Sequence, residues 1–193
     1  MICICISGKI GSGKSTTSSK LKEYLTANTN WNVVESNFAD SLKEVCAVEA
    51  GVPIETFKTQ EGKNTFLDKV GMRGGEFLQH VGKRERLKDP DHWIKLLFDA
   101  SRGRNPGNTC LIIGDLRMQN EAFHAKLHNA ILIRLNGDPN GVNAHTTRNR
   151  EDISEVDLDQ YPEFDCVIDT NATSPDEVLN QIVAHLRAKN LLT

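Results

Sequence analysis

Gly8-Lys9-Ile10-Gly11-Ser12-Gly13-Lys14-Ser15 matches G-x-x-x-x-G-K-[ST] at every specified position. It stands directly after the apolar run 2–7 and before a stretch with helical character. A strand, a glycine loop and a helix in that order constrain the fold more than any other feature of the chain. The glycines let the backbone curl so that successive N–H groups point inward at an anion, and the helix that follows aims its positive end at the same place. In this pattern Gly8, Lys9, Gly11, Ser12, Gly13 and Thr16 wrap a nucleoside triphosphate, expected to be ATP. Lys14 reaches its β and γ phosphates, and the Ser15 hydroxyl ligates Mg2+.

A phosphate loop alone does not name a reaction, so the rest of the chain has to narrow it. No N-K-x-D segment is present to read guanine. The later run Leu111-Ile112-Ile113-Gly114-Asp115 is followed by Leu116 and not by the Asp-Glu end common in motor-type ATPases. At 193 residues the chain suits one well-cored domain, too little for such a machine. A small kinase remains. The formal net charge of −3 asks for neither nucleic acid nor an anionic membrane as partner. The run 2–6 is too short for a signal peptide or a membrane span. Cys3, Cys5, Cys46, Cys110 and Cys166 form no C-x-x-C pair and read as small core hydrophobes in a reducing cytoplasm.

Short apolar, partly β-branched runs at 2–7, 31–36, 109–114, 130–135 and 165–169 alternate with helical patterns. This predicts a three-layer α/β P-loop fold with a five-stranded, mainly parallel sheet. The last helix carries the plainest start signal, with Ser174 as cap, Pro175 first and Glu177 three after the cap. Residues 37–108 are too many for a simple crossover and are expected to hold a helical, acceptor-binding insertion. Residues 136–162 mix Gly, Asn, Asp and Pro with arginines and read as a lid.

Phosphoryl transfer needs positioning and positive charge more than a covalent catalyst, so arginines outside the loop should mark the chemistry. Asp115 falls at the carboxyl end of the third strand, where open α/β sheets place ligands, and Arg117 follows it. Asp115 would either hold a magnesium-bound water or orient the acceptor, and Arg117 would neutralise the transferred group; the alternative is a helix cap followed by a surface arginine. Arg73, Gln79, Arg84 and Arg86 suit an α-phosphate and a base edge, or equally a solvated surface. Arg148 and Arg150 would close over the triphosphate, Arg150 beside the reacting group, or else serve as solubility charges of a loop. His145 reads as a loop residue, and Trp93, at helical spacing with Leu96 and Leu97, as core.

Taken in order, these segments resemble the deoxynucleoside monophosphate kinases of bacteriophages. The resemblance runs from residues 8–16 through Phe38-Ala39-Asp40-Ser41-Leu42-Lys43 and Arg73 to Leu78-Gln79-His80-Val81-Gly82 and Trp93. It continues through Asp115-Leu116-Arg117-Met118-Gln119-Asn120-Glu121, Ile153-Ser154-Glu155, Leu158-Asp159 and Phe164-Asp165. Lys83 stands where the family usually has threonine, and no histidine directly precedes Ser154. The resemblance implies transfer of the ATP γ-phosphate to a deoxynucleoside 5′-monophosphate in a cytoplasm, a host's if the protein is viral, with a homodimer as a family possibility. It implies Arg73 and Gln79 against the acceptor, Asp40 and Lys43 along its pocket, and Asp115 with Arg117 flanking the reacting phosphates. The cluster of Asp115, Arg117 and Glu121, together with Ser154 and Glu155, favours a nucleotide acceptor over dephospho-coenzyme A. An ATP-binding switch without transfer could dispense with acceptor arginines altogether.

Overall fold

The computed structural model describes residues 1–101, 107–139, 141 and 152–192. The chain divides into two compact units, residues 38–103 in one and 1–37 with 104–193 in the other.

The larger unit is built on β1 (Ile2–Gly8), β2 (Asn32–Ser36), β5 (Thr109–Leu116), β6 (Ile131–Asn136) and β7 (Cys166–Asp169), all paired in parallel in the order β2-β5-β1-β6-β7. Each of the five expected strands is present, with ends shifted by one or two residues. β5 differs most, running on through Asp115 to Leu116, so Asp115 is a strand residue and not a helix cap. Continuous Ile, Leu, Val and Cys runs suit strands covered on both faces. Ile4, Ile6, Ile112, Ile133 and Ile168 pack against Leu21 and Leu25 of α1 (Lys14–Asn28) and against Val178, Ile182 and Leu186 of the C-terminal helix (Pro175–Ala188). The alternate residues Cys3, Cys5, Leu111, Ile113 and Leu132 are fully buried on the opposite side. There α6 (Gln119–Leu127) packs against β6 with Ala122 and Ala125 buried. The cysteines are buried, Cys166 partly, and none is in a disulfide.

In the smaller unit α2 (Phe38–Ala50) packs against α4 (Gly74–Lys88) and α5 (His92–Ser101). Its separate core joins Cys46, Phe57, Leu67, Phe77, Val81 and Trp93. Trp93 is core as expected, 2% exposed, and its Nε1 donates to the Gly82 carbonyl at 3.4 Å. A 3-10 turn at Ile54–Phe57, a short helix α3 (Gln60–Asn64) and a two-stranded antiparallel hairpin of β3 (Phe66–Leu67) and β4 (Met72–Arg73) complete it. The hairpin was not foreseen, because two-residue strands carry no periodicity. Among the described residues no helix is long and apolar enough to cross a membrane.

Asp165 ties three elements of the larger unit together. Its carboxylate accepts from Lys126 Nζ at 2.7 Å, Lys189 Nζ at 2.9 Å and the Leu132 backbone N–H at 2.9 Å. Burial pushes its pKa up, but the Leu132 N–H and the two ammoniums outweigh this and hold it at about 2, below the ordinary 3.8. A depressed carboxylate adds stability that is complete above its ordinary pKa and fades as pH falls towards the folded value. Asp165→Asn is therefore expected to lower unfolding free energy by about 1–3 kcal/mol at neutral pH. Urea titrations should show the gap from the parent closing between about pH 4 and pH 2.

Candidate functional site

The strand order reverses between β1 and β6, and the crevice beyond their carboxyl ends is where a doubly wound sheet binds its ligand. The glycine loop occupies that place. Gly11 and Gly13 have φ of +83° and +89°, left-handed values that favour glycine. A Cβ on Gly8 would strike Ser12 Oγ and lie 2.7 Å from the Leu135 carbonyl, so the loop needs glycine there too. Lys14 Nζ folds back to donate to the Gly8 and Lys9 carbonyls at 2.6 and 2.7 Å. Helix α1 starts at Gly13 with no side-chain cap and no acidic residue in its first turn. Among the described residues no side chain caps its leading N–H donors, which with its positive dipole end fits an external phosphate group.

Arg117, directly after β5, is half-buried and forms an ion pair with Glu155, whose side chain is 5% exposed. The other Glu155 oxygen accepts from the Ile10 N–H at 3.1 Å, and Arg117 Nη1 also reaches the Ser154 carbonyl at 3.4 Å. One carboxylate therefore joins the arginine to the glycine loop. Glu155 and Ser154 lie on a single helical turn, α7 (Ile153–Val156), capped by Asp152, whose Oδ1 accepts from the Ser154 N–H at 2.9 Å. The end of the stretch expected to be irregular is thus a short helix. Asp157 pins it to α6 by accepting from the Gln119 N–H at 2.7 Å. Glu121 Oε2 accepts from the backbone N–H groups of Arg117 and Met118 at 2.9 and 3.1 Å, fixing the turn that carries Arg117. Asp115 is half-buried near the carboxyl end of β5, and Ser15 and Thr16 are exposed on the first turn of α1.

The structure thus brings Gly8, Lys9, Gly11, Ser12, Gly13, Lys14, Arg117, Glu121, Ser154 and Glu155 into one connected group. Arg148, Arg150 and His145 lie outside the described residues. Ser15, Thr16 and Asp115 lie in the larger unit, and the remaining expected residues belong to the smaller unit. Asp40 and Lys43 pair across one turn of α2 at 3.0 Å. Arg73 Nη1 donates to the Asn64 carbonyl at 2.7 Å, Gln79 is exposed on α4, and Arg86 is half-buried beside Gly82. Arg84 is committed elsewhere: its two terminal nitrogens grip Glu49 at 3.0 and 2.6 Å and its Nε donates to Glu85 at 2.7 Å.

Two contributors were not picked out as site residues from the sequence. Arg134 of β6 is 7% exposed and bonds Ser7 and Asp159, and Asp159 in turn accepts from Lys9 at 2.6 Å. The available signal was a guanidinium inside the apolar run Ala130-Ile131-Leu132-Ile133-Arg134-Leu135, which has to be paired if both faces are covered. Lys9, Arg134, Asn136, Asp138, Asp159 and Asn171 line most of a cavity of about 440 Å3 beside the loop.

No family model matches the chain. A protein of Acanthamoeba polyphaga mimivirus, provisionally named a deoxynucleotide monophosphate kinase, is 31% identical over 199 aligned positions, covering 95% of each chain. Among solved structures, the chain is similar to a shikimate kinase from Aquifex aeolicus vf5, with TM-score 0.52, 17% identity and 98% and 99% coverage. It is likewise similar to the protein TT1252 from Thermus thermophilus, with TM-score 0.51, 20% identity and 96% and 97% coverage. At those identities the structural likeness shows the fold, while the mimivirus relative, aligned over nearly the whole chain, shows the family. With its phosphate loop at the switch point of a parallel sheet, the chain belongs to the deoxynucleotide monophosphate kinase family of P-loop kinases.

Proposed function

We propose that this kinase transfers the γ-phosphoryl group of ATP, with Mg2+, to the 5′-phosphate of a deoxynucleoside monophosphate, giving the diphosphate. The observation that carries the reading is the uncapped start of α1, with Lys14 beside it and Arg117 tethered by Glu155 to the same loop. The name of the mimivirus relative supports the acceptor class. Lys14 and the loop N–H groups hold the β and γ phosphates, and Arg117 offsets charge on the group in transfer. We assign the nucleoside of ATP to the 440 Å3 cavity, a size within the usual range for ligand pockets. Ser15 and Asp115 are the oxygen donors assigned to Mg2+, which when bound would neutralise phosphate oxygens. Among the described residues no cluster of three His, Cys, Asp or Glu side chains could hold a metal alone. Magnesium in phosphotransferases commonly takes only one or two protein oxygens, with phosphates and water completing its shell. Asp40, Lys43, Arg73, Gln79 and Arg86 are assigned to the acceptor. Arg84 is left out because Glu49 and Glu85 already take its fork.

Lys14 gives this reading a pH signature. Its pKa is lowered from the ordinary 10.5 to about 7. Burial is the main cause, the Arg117 guanidinium adds to it, the Glu155 and Asp115 carboxylates oppose it, and Arg134 lowers it further. A polyanion favours the ammonium and draws the pKa back up. Binding should therefore take up a proton above about pH 7, and affinity should fall as pH rises beyond that point. Calorimetry of MgATP binding at about pH 8 in buffers of different ionisation enthalpy should show uptake approaching one proton. Uptake of none would contradict this role.

The proposed reaction is tested by following ADP formation with dAMP, dGMP, dCMP, dTMP, AMP and dephospho-coenzyme A offered separately. Turnover with at least one deoxynucleotide is expected. Turnover with dephospho-coenzyme A alone would transfer the assignment to that acceptor, and tight ATP binding without any acceptor-dependent turnover would favour a switch.

A further inference from the structure

We infer that Arg134 is a positioning residue for the triphosphate site, acting through Ser7 and Asp159 on the shape of the glycine loop. This inference rests on the ATP-dependent reading above and gives Arg134, which that reading uses only as part of the cavity lining, a second role through the loop.

In β6, Ile131, Ile133 and Leu135 turn into the core shared with α1 and the C-terminal helix, while Leu132 and Arg134 lie on the other face. Arg134 is in register with Ser7 of β1, the residue before the loop's first glycine, and both side chains are buried. A guanidinium at such a depth is stable only if its donors are met. They are met by Ser7 Oγ at 3.0 Å from Nη1, Asp159 Oδ1 at 2.8 Å from Nη2 and Asn136 Oδ1 at 3.2 Å from Nε. The Phe164 ring lies 5.8 Å from its carbon centre.

Two of these contacts lead into the loop. Ser7 precedes Gly8 directly, and Asp159 uses its second oxygen to accept from Lys9 Nζ at 2.6 Å. The residues on either side of Gly8 are therefore both referenced to one buried side chain. The Gly8 and Lys9 carbonyls are in turn the two acceptors for Lys14 Nζ. A continuous path of contacts thus runs from Arg134 through Ser7, Asp159 and Lys9 to the ammonium that holds the phosphates. A planar fork is required, because an ammonium is a point donor on a shorter reach and cannot span Ser7, Asp159 and Asn136 together. Charge at position 134 is not sufficient.

The test compares the parent with Arg134→Lys, Asp159→Asn and the double variant. MgATP binding is measured by calorimetry, and steady-state kinetics use whichever deoxynucleotide the parent accepts. Each single variant is expected to weaken MgATP binding and raise its KM by about tenfold, with kcat at saturation within about twofold of the parent. The double variant should be no weaker than the weaker single, because both act on one connected unit. A purely structural role would lower the unfolding midpoint without moving KM, and that result would overturn the inference. So would parent-like binding by both singles, a loss confined to kcat, or losses that multiply in the double. Should Arg134→Lys fail to fold, Asp159→Asn, altering a more exposed carboxylate, decides the matter by the same KM criterion. Failure of the parent itself to bind MgATP would overturn the ATP-dependent reading and this inference with it; variant binding equal to a binding-competent parent overturns the inference alone.

Discussion

Replacing Lys14 with alanine is expected to lower acceptor-dependent kcat/KM by about a hundred- to a thousandfold while leaving the fold intact. The loss follows from removing a donor fixed in advance where phosphate charge develops, a type of contact worth about that much in other enzymes. The fold survives because the ammonium is a burden to the unliganded chain. Burial and the neighbouring Arg117 hold its pKa near 7, so the charged form is disfavoured where it sits. Thermal unfolding of the alanine variant without nucleotide should therefore match or exceed the parent. The gain in midpoint that MgATP gives the parent should be largely lost. A variant that is inactive because it is unfolded would fail that comparison.

The second large effect concerns Arg117. Arg117→Ala leaves Glu155, whose side chain is only 5% exposed, with the Ile10 N–H but without its cation. Breaking one side of a buried pair is costly, and a loss of about 3 kcal/mol in unfolding free energy is expected. Turnover should fall by about a hundredfold or more if the guanidinium acts on the transferred group. The two effects separate in Arg117→Ala/Glu155→Gln, in which no unpaired carboxylate remains. That double variant should recover most of the stability in urea titrations and none of the activity. Recovery of activity would mean that the ion pair serves only to hold α7 against the loop.

The sheet was legible because its strands carry uninterrupted apolar, β-branched runs, a pattern that needs no knowledge of distant neighbours. The glycine loop was legible for a related reason: its function depends on backbone geometry that a few residue types at fixed spacing already specify. What sequence could not supply was pairing between remote residues. Arg84 has the composition of an anion ligand, yet Glu49, 35 positions earlier, fills its fork. Arg117 was recognised as a functional cation, but not that Glu155, 38 positions later, holds it and touches the loop at Ile10. Arg134 escaped notice because its partners Ser7 and Asp159 are 127 and 25 positions away, and only folding brings them together. In each case the residue type was visible while its partner was not, and the partner decides whether a charge binds substrate, shapes the site or braces the fold.

Whether the chain transfers phosphate to a deoxynucleotide is decided by following the phosphoryl group itself. ATP labelled in its γ-phosphate is incubated with Mg2+ and each deoxynucleoside monophosphate in turn, and the products are separated and identified. Label is expected in the β position of a deoxynucleoside diphosphate, formed only with the acceptor present and greatly reduced in Lys14→Ala. Label released as inorganic phosphate, or transferred to dephospho-coenzyme A and to no deoxynucleotide, would contradict the proposed reaction.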